Sequence, residues 1–176
     1  MATLGNISAF SGWASWLWLG LLALAAITDY RQGKIYNWLT LPLIFAGLAY
    51  SGLQGWPPFV QSLLGLGLGL LLLGPLFFGG VMGGGDVKLF MAVGAWFGPA
   101  ANWQLFSASI MLAAVGAIAI LIARGRLKPF LQELFKFLRS AFTPGLALQW
   151  PRLDRTSKAP FGIAVFAAFL MQRFLI

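Results

Sequence analysis

"LLGLGLGLLLLGPLFF" occupies residues 63–78, and none of its side chains carries a charge or a hydrogen-bonding group. Extended back to Phe59, the run reaches the ~20 residues a helix needs to cross ~30 Å of hydrocarbon. Working outward, similar apolar segments cover about 11–28, 38–52, 87–98, 103–123 and 161–176. The segment at 87–98 is the short one, worth only ~18 Å of helix, so it either starts inside the membrane or continues past Gly98-Pro99. The chain of 176 residues is 60% hydrophobic and 9% charged, too few polar residues to clothe a soluble domain. The expectation is an all-α polytopic membrane protein, one domain over 1–176, with about six transmembrane helices. Gly65 and Gly69 form a small-xxx-small pair that would let the third span approach a neighbour closely.

Charge orients the spans. Of the twelve basic residues, all but Arg173 fall on one side of a six-span arrangement: Arg31 and Lys34 after the first span, Lys88 before the fourth, and the rest between the fifth and sixth. The positive-inside rule makes that side cytoplasmic and puts both termini outside. The formal charge of +8 is then a topology signal, and nucleic acid is not an expected partner. The first segment ends in "TDYRQGK" and has no basic residue before it, unlike a cleaved signal peptide. Residues 124–159 form a basic cytoplasmic loop. Within it "LKPFLQELFKFLRSAF" (127–142) is amphipathic, with Leu127, Phe130, Leu131, Leu134, Phe135 and Leu138 on one face and Lys128, Gln132, Lys136 and Arg139 on the other. That helix is expected to lie on an anionic inner leaflet.

The chemistry available is narrow. There is no cysteine and no histidine, so thiolate nucleophiles, imidazole bases and their metal sites are excluded, and no metal or cofactor is expected. The carboxylates are Asp29, Asp86, Glu133 and Asp154, the last two in the solvated loop. Asp29 ends the first span and Asp86 precedes the fourth, so the topology brings both to one rim of the membrane. Two carboxylates in a poorly solvated site cannot both ionise easily. The ionised one takes a proton from water, while the protonated one polarises a peptide carbonyl and feeds the leaving amine. The competing reading is that each is a helix-end charge facing water, paired with Arg31 or Lys88. Gly83, Gly84 and Gly85, in "GGVMGGGDVKLF" (79–90), give the backbone conformational freedom and let another chain approach Asp86. The stretch lacks the Lys-Ser/Thr pair of a phosphate-binding loop.

These residues resemble the type IV prepilin peptidases. "GGGDVKLF" is similar to their GxGD motif, with Gly83, Gly85 and Asp86 at the fixed positions and Lys88 at a frequent lysine. "TDYRQGKIYNWLTLP" resembles the segment of the first catalytic aspartate, matching Asp29, Arg31, Ile35, Asn37, Leu39 and Thr40, with Tyr36 where the family usually has proline. "KAPFGIAVFAAFL" (158–170) resembles the opening of the last span. The resemblance implies a membrane aspartyl endopeptidase with Asp29 and Asp86 catalytic. Gly83, Gly84, Gly85, Lys88, Arg31 and Asn37 would lie along the motif and the substrate's approach. The implied substrate is a prepilin-like protein whose short basic leader is removed after a glycine at the cytoplasmic face of the inner membrane. The chain looks like the compact form of tight-adherence pilus systems and archaeal preflagellin peptidases. It lacks the extra N-terminal region, often with paired cysteines, that larger members carry, so methyl transfer is not expected. Replacing Gly85 with valine is expected to cut activity and leave the fold intact. The alternative is a proton- or cation-coupled transporter using Asp29 and Asp86, which would predict repeated halves that the sequence does not show. A non-catalytic assembly factor would have no use for both aspartates.

Overall fold

The computed structural model describes residues 13–32, 35–80, 82–142 and 161–174. Among the described residues every regular element is helical: α1 (Trp13–Gln32), α2 (Asn37–Leu53), α3 (Trp56–Phe78), α4 (Gly84–Ala123), α5 (Leu127–Phe142) and α6 (Phe161–Phe174). Lys34, the first twelve residues, and the part of the basic loop carrying Arg152, Asp154, Arg155 and Lys158 lie outside the described residues. The boundaries follow local chemistry. Pro57 and Pro58 open α3, where their missing N–H groups cost nothing. Gly125 closes α4 with φ +63, and the Arg126 N–H reaches back to the Leu121 carbonyl in a left-handed cap.

The fourth and fifth apolar segments form one helical element broken at Gly98, whose φ 78 and ψ −179 belong to a region only glycine enters freely. Pro99 follows and donates no backbone bond. The break reverses the chain. Phe90 and Phe106 stand sixteen positions apart, about 24 Å along a straight helix, yet their rings meet edge to face at 6.0 Å. The short segment is therefore the first limb of a helical hairpin, and it begins earlier than the apolar pattern indicated, at Gly84.

Every other helix of the unit packs on this limb. The chain divides into two compact units, Met1–Leu112 with Pro160–Ile176, and Ala113–Ala159. In the first, residues 87, 89, 90, 92–95 and 97–98 are all buried. Trp18 of α1 meets Phe97 at 5.2 Å. Phe169 of α6 meets Phe97 at 6.0 Å, and Phe161 meets Phe90 at 6.0 Å. From α2, Tyr50 stacks on Trp96 at 5.5 Å and the Leu43 carbonyl accepts the Trp96 Nε1–H at 2.8 Å. Fourteen residues make only about 21 Å of helix, and a limb enclosed by neighbours does not itself have to match the thickness of the hydrocarbon.

The Gly65–Gly69 pair does what its spacing indicates. A Cβ at Gly65 would overlap the Gly94 carbonyl, and one at Gly94 would overlap the backbone of Gly65. At Gly69 a Cβ would come within 2.7 Å of the Phe90 carbonyl. Asn102 Nδ2 donates to the Gly65 carbonyl at 2.9 Å and Ser62 Oγ to the Ala95 carbonyl at 2.5 Å. In lipid, where apolar surface gains little by leaving the solvent, close contact and such bonds hold helices together. Trp56–Phe78 is long and apolar enough to cross a membrane, and Gly84–Ala123, two limbs joined at Gly98, is apolar enough by composition. In the second unit, α5 leaves Phe130, Leu131 and Phe135 exposed, Phe135 by 69%.

Gly65→Val should lower stability by about 2–3 kcal/mol through backbone overlap, whereas Gly67→Val, facing open space, should change it by under about 0.5 kcal/mol. Thermal unfolding in detergent micelles compares the two.

Candidate active site

The two aspartates reach the same depth by register. α1 runs antiparallel to the first limb of α4, with Trp18 against Phe97. Asp29 lies eleven residues beyond Trp18, and Asp86 eleven residues before Phe97. Both carboxylates are thus displaced by about 16 Å from the aromatic contact, in the same direction. They line one cavity of about 280 Å³, together with Ile35, Tyr36, Asn37 and the glycines 83–85.

Each carboxylate is engaged at a helix N-terminus. Asp86 sits in the first turn of α4, 8% exposed, and its Oδ2 accepts the Gly83 N–H at 3.2 Å. Its own N–H donates to the Gly83 carbonyl at 3.2 Å, an exchange like that of a capping box. Asp29 Oδ2 accepts the N–H of Gly162, in the first turn of α6, at 2.8 Å. That N–H has no acceptor within its own helix, and a carboxylate there is favoured by the helix dipole. A Cβ at Gly162 would stand 3.1 Å from both Asp29 Cβ and Oδ2, so glycine lets α6 come down on the carboxylate.

The glycines before Asp86 serve close approach. Among the described residues of this stretch only Gly80 has positive φ, at +70, so Gly83–Gly85 do not use the left-handed freedom expected of them. A Cβ at Gly85 would meet Ile35 Cβ at 2.7 Å and the Ile35 carbonyl oxygen at 2.8 Å. The chain that comes close is the protein's own connector between α1 and α2. Gly84 lies under the Phe77 ring, 3.1 Å from where its Cβ would be. Tyr36 precedes α2 with φ −80 and ψ 142, values that proline also accepts. Its hydroxyl donates to Gln32 Oε1.

Of the remaining expected site residues, Asn37 lines the cavity, and Lys88 Nζ donates to Asn37 Oδ1 at 2.8 Å. Lys88 thus reaches back to α2. Arg31, exposed in the last turn of α1, is not among the residues lining the cavity. Sequence reading missed the part of Gly162: "PFG" was visible, but that its backbone meets Asp29 could not be read without the packing of α6 on α1. Among the described residues no three His, Cys, Asp or Glu side chains converge as metal ligands would.

The profile of the type IV leader peptidase family matches residues 16–123. A protein named prepilin leader peptidase/N-methyltransferase from Neisseria gonorrhoeae is 35% identical over 128 residues, 65% of this chain and 44% of that relative. Proteins of the same name from Klebsiella pneumoniae and Escherichia coli (strain K12) are 31% and 28% identical over 106 and 116 residues, 56% and 62% of this chain and 45% and 50% of theirs. The chain spans less than half the length of the first of these curated relatives. No solved structure matches it.

The packing corrects the expectation that Gly85→Val would spare the fold. Valine there collides with the Ile35 main chain and should cost about 1–3 kcal/mol. Gly83→Ala, whose Cβ would rest at 3.4 Å from Asp86 Oδ2, should cost under about 0.5 kcal/mol. Unfolding midpoints of the two variants test this.

Proposed function

The chain belongs to the type IV leader peptidase family, and from that premise we propose that it is an aspartyl endopeptidase that removes a short basic leader from prepilin-like proteins. The observation that carries the reading is that Asp29 and Asp86 share one cavity. One carboxylate, ionised, takes a proton from the attacking water. The other, protonated, polarises the scissile carbonyl and returns a proton to the departing amine. Histidine and cysteine, absent from the chain, have no part in this scheme.

The membrane arrangement belongs to the same proposal. Six spans with both termini outside put the cavity at the cytoplasmic rim of the inner membrane, because the basic residues cluster there. The substrate's apolar segment lies in the bilayer and its leader stays in the cytoplasm, so the bond between them arrives at the depth of the aspartates. α5 rests its apolar face in the inner leaflet with its cations toward anionic headgroups. Its basic surroundings would repel a basic leader, so the leader is not assigned to that helix.

Asp29→Asn and Asp86→Asn should each lower cleavage of a prepilin-type substrate by roughly 10³-fold or more, and the double variant should lose little further. Asparagine keeps an acceptor oxygen for the Gly162 or Gly83 N–H, so both variants should fold. The pH profile of the unaltered chain should show two ionisations that belong to the pair. Strong cleavage by either purified single variant would sink the two-aspartate mechanism.

Orientation is checked separately. The chain has no cysteine, so Arg31→Cys introduces a unique thiol. It should react with a membrane-impermeant maleimide only when the cytoplasmic face is open, and labelling from the opposite face alone would reverse the topology.

A further inference from the structure

The bond between Lys88 and Asn37 fixes more than the distance between two helices. An asparagine amide has one acceptor end and one donor end, and the partner decides which end faces it. A lysine ammonium has three donors and no acceptor, so the amide end facing Lys88 Nζ at 2.8 Å is Oδ1. Asn37 also lines the cavity that holds Asp29 and Asp86, and Lys88 does not. With the oxygen engaged outside the cavity, the amide offers the cavity its Nδ2 hydrogens. Among the described residues no acceptor takes them.

Two backbone donors beside the aspartates are already occupied. The Gly83 N–H goes to Asp86 Oδ2, and the Asp86 N–H to the Gly83 carbonyl. Water attack on a peptide bond places negative charge on the carbonyl oxygen, beside a carboxyl pair that already shares one negative charge. A neutral donor aimed there stabilises the charge without competing for a proton. The Lys88 ammonium, bound to the amide oxygen, polarises the amide and makes its N–H groups stronger donors.

We propose that Asn37 donates from Nδ2 to a main-chain carbonyl of the bound peptide, and that Lys88 is a positioning residue that holds the asparagine amide in the orientation this requires. The inference rests on the peptidase reading and assigns separate parts to two residues of its motif. Asn37 touches substrate. Lys88 acts only through it.

The test uses the full chain in lipid nanodiscs and a synthetic peptide with a lysine-rich leader, a glycine and an apolar segment. Asn37→Leu should lower kcat roughly 10²-fold, with KM changed only a few-fold. Lys88→Met should lower kcat roughly tenfold, and Lys88→Arg, which still donates, should recover most of that loss. In the double variant Lys88→Met should cost nothing beyond Asn37→Leu, because the lysine has no amide left to orient. Additive losses that track the unfolding midpoints would show a tether between α2 and α4 and overturn the proposal.

If Asn37→Leu fails to fold, Asn37→Asp carries the test. It keeps a partner for Lys88 that neutralises its charge, yet has no N–H to give. A kcat lowered roughly 10²-fold, at unchanged stability, supports the donor role, and full activity overturns it. An unaltered chain that cleaves no such peptide removes the peptidase reading and this inference together. Cleavage lost in the aspartate variants but normal in both Asn37 variants removes the inference alone.

Discussion

The approach of two glycine backbones, Gly65 on α3 and Gly94 on α4, sets the spacing on which the site depends. Neither position has room for a Cβ. In hydrocarbon, apolar side chains gain little by leaving lipid for protein, so helices must be held by dense contact and by hydrogen bonds between them. Gly94 and Gly98 against Gly65, and the backbone of Phe90 and Met91 against Gly69, provide the contact, and Asn102 and Ser62 provide bonds to backbone carbonyls. The limb 84–97 becomes the axis on which α1, α2, α3 and α6 are arranged, and its register against α1 sets where two carboxyl groups stand.

That arrangement solves a local difficulty. Ionisable groups near hydrocarbon are costly, and the structure places each one at a helix end where a backbone N–H receives it: Gly83 for Asp86 and Gly162 for Asp29. The second device also joins the two ends of the sequence, since α6 is docked to α1 beside Asp29. The glycine at 162 is therefore as much a feature of the site as those before Asp86. The transporter reading gains no support: the family and the named relatives are peptidases by name, and the sequence has no repeated halves.

Much of this was legible from the residues. Apolar segments marked the helices, amphipathic helical spacing marked 127–142, and the scarcity of ionisable groups drew attention to Asp29 and Asp86. The pairing of Gly65 and Gly69 with a neighbour was readable as a spacing, although not which helix would fill it. What stayed hidden depended on three-dimensional neighbours. The turn between the fourth and fifth segments was one of two outcomes read at Gly98-Pro99, because glycine followed by proline permits either until packing decides. Gly83–Gly85 read as flexible, since sequence cannot distinguish a glycine that needs positive φ from one that needs an absent side chain. Lys88 lies two positions from Asp86, on another face of the helix, and its reach to Asn37 depends on how α2 lies along α4.

The central claim is that the two aspartates sit where a peptide bond is cut. It is tested most directly by expressing the chain in membranes with a prepilin-type protein and determining the amino terminus of the product. The account predicts a new terminus at the residue after the leader's glycine, with the apolar segment intact. A substrate that keeps its leader, or one cut within its apolar segment, would contradict it.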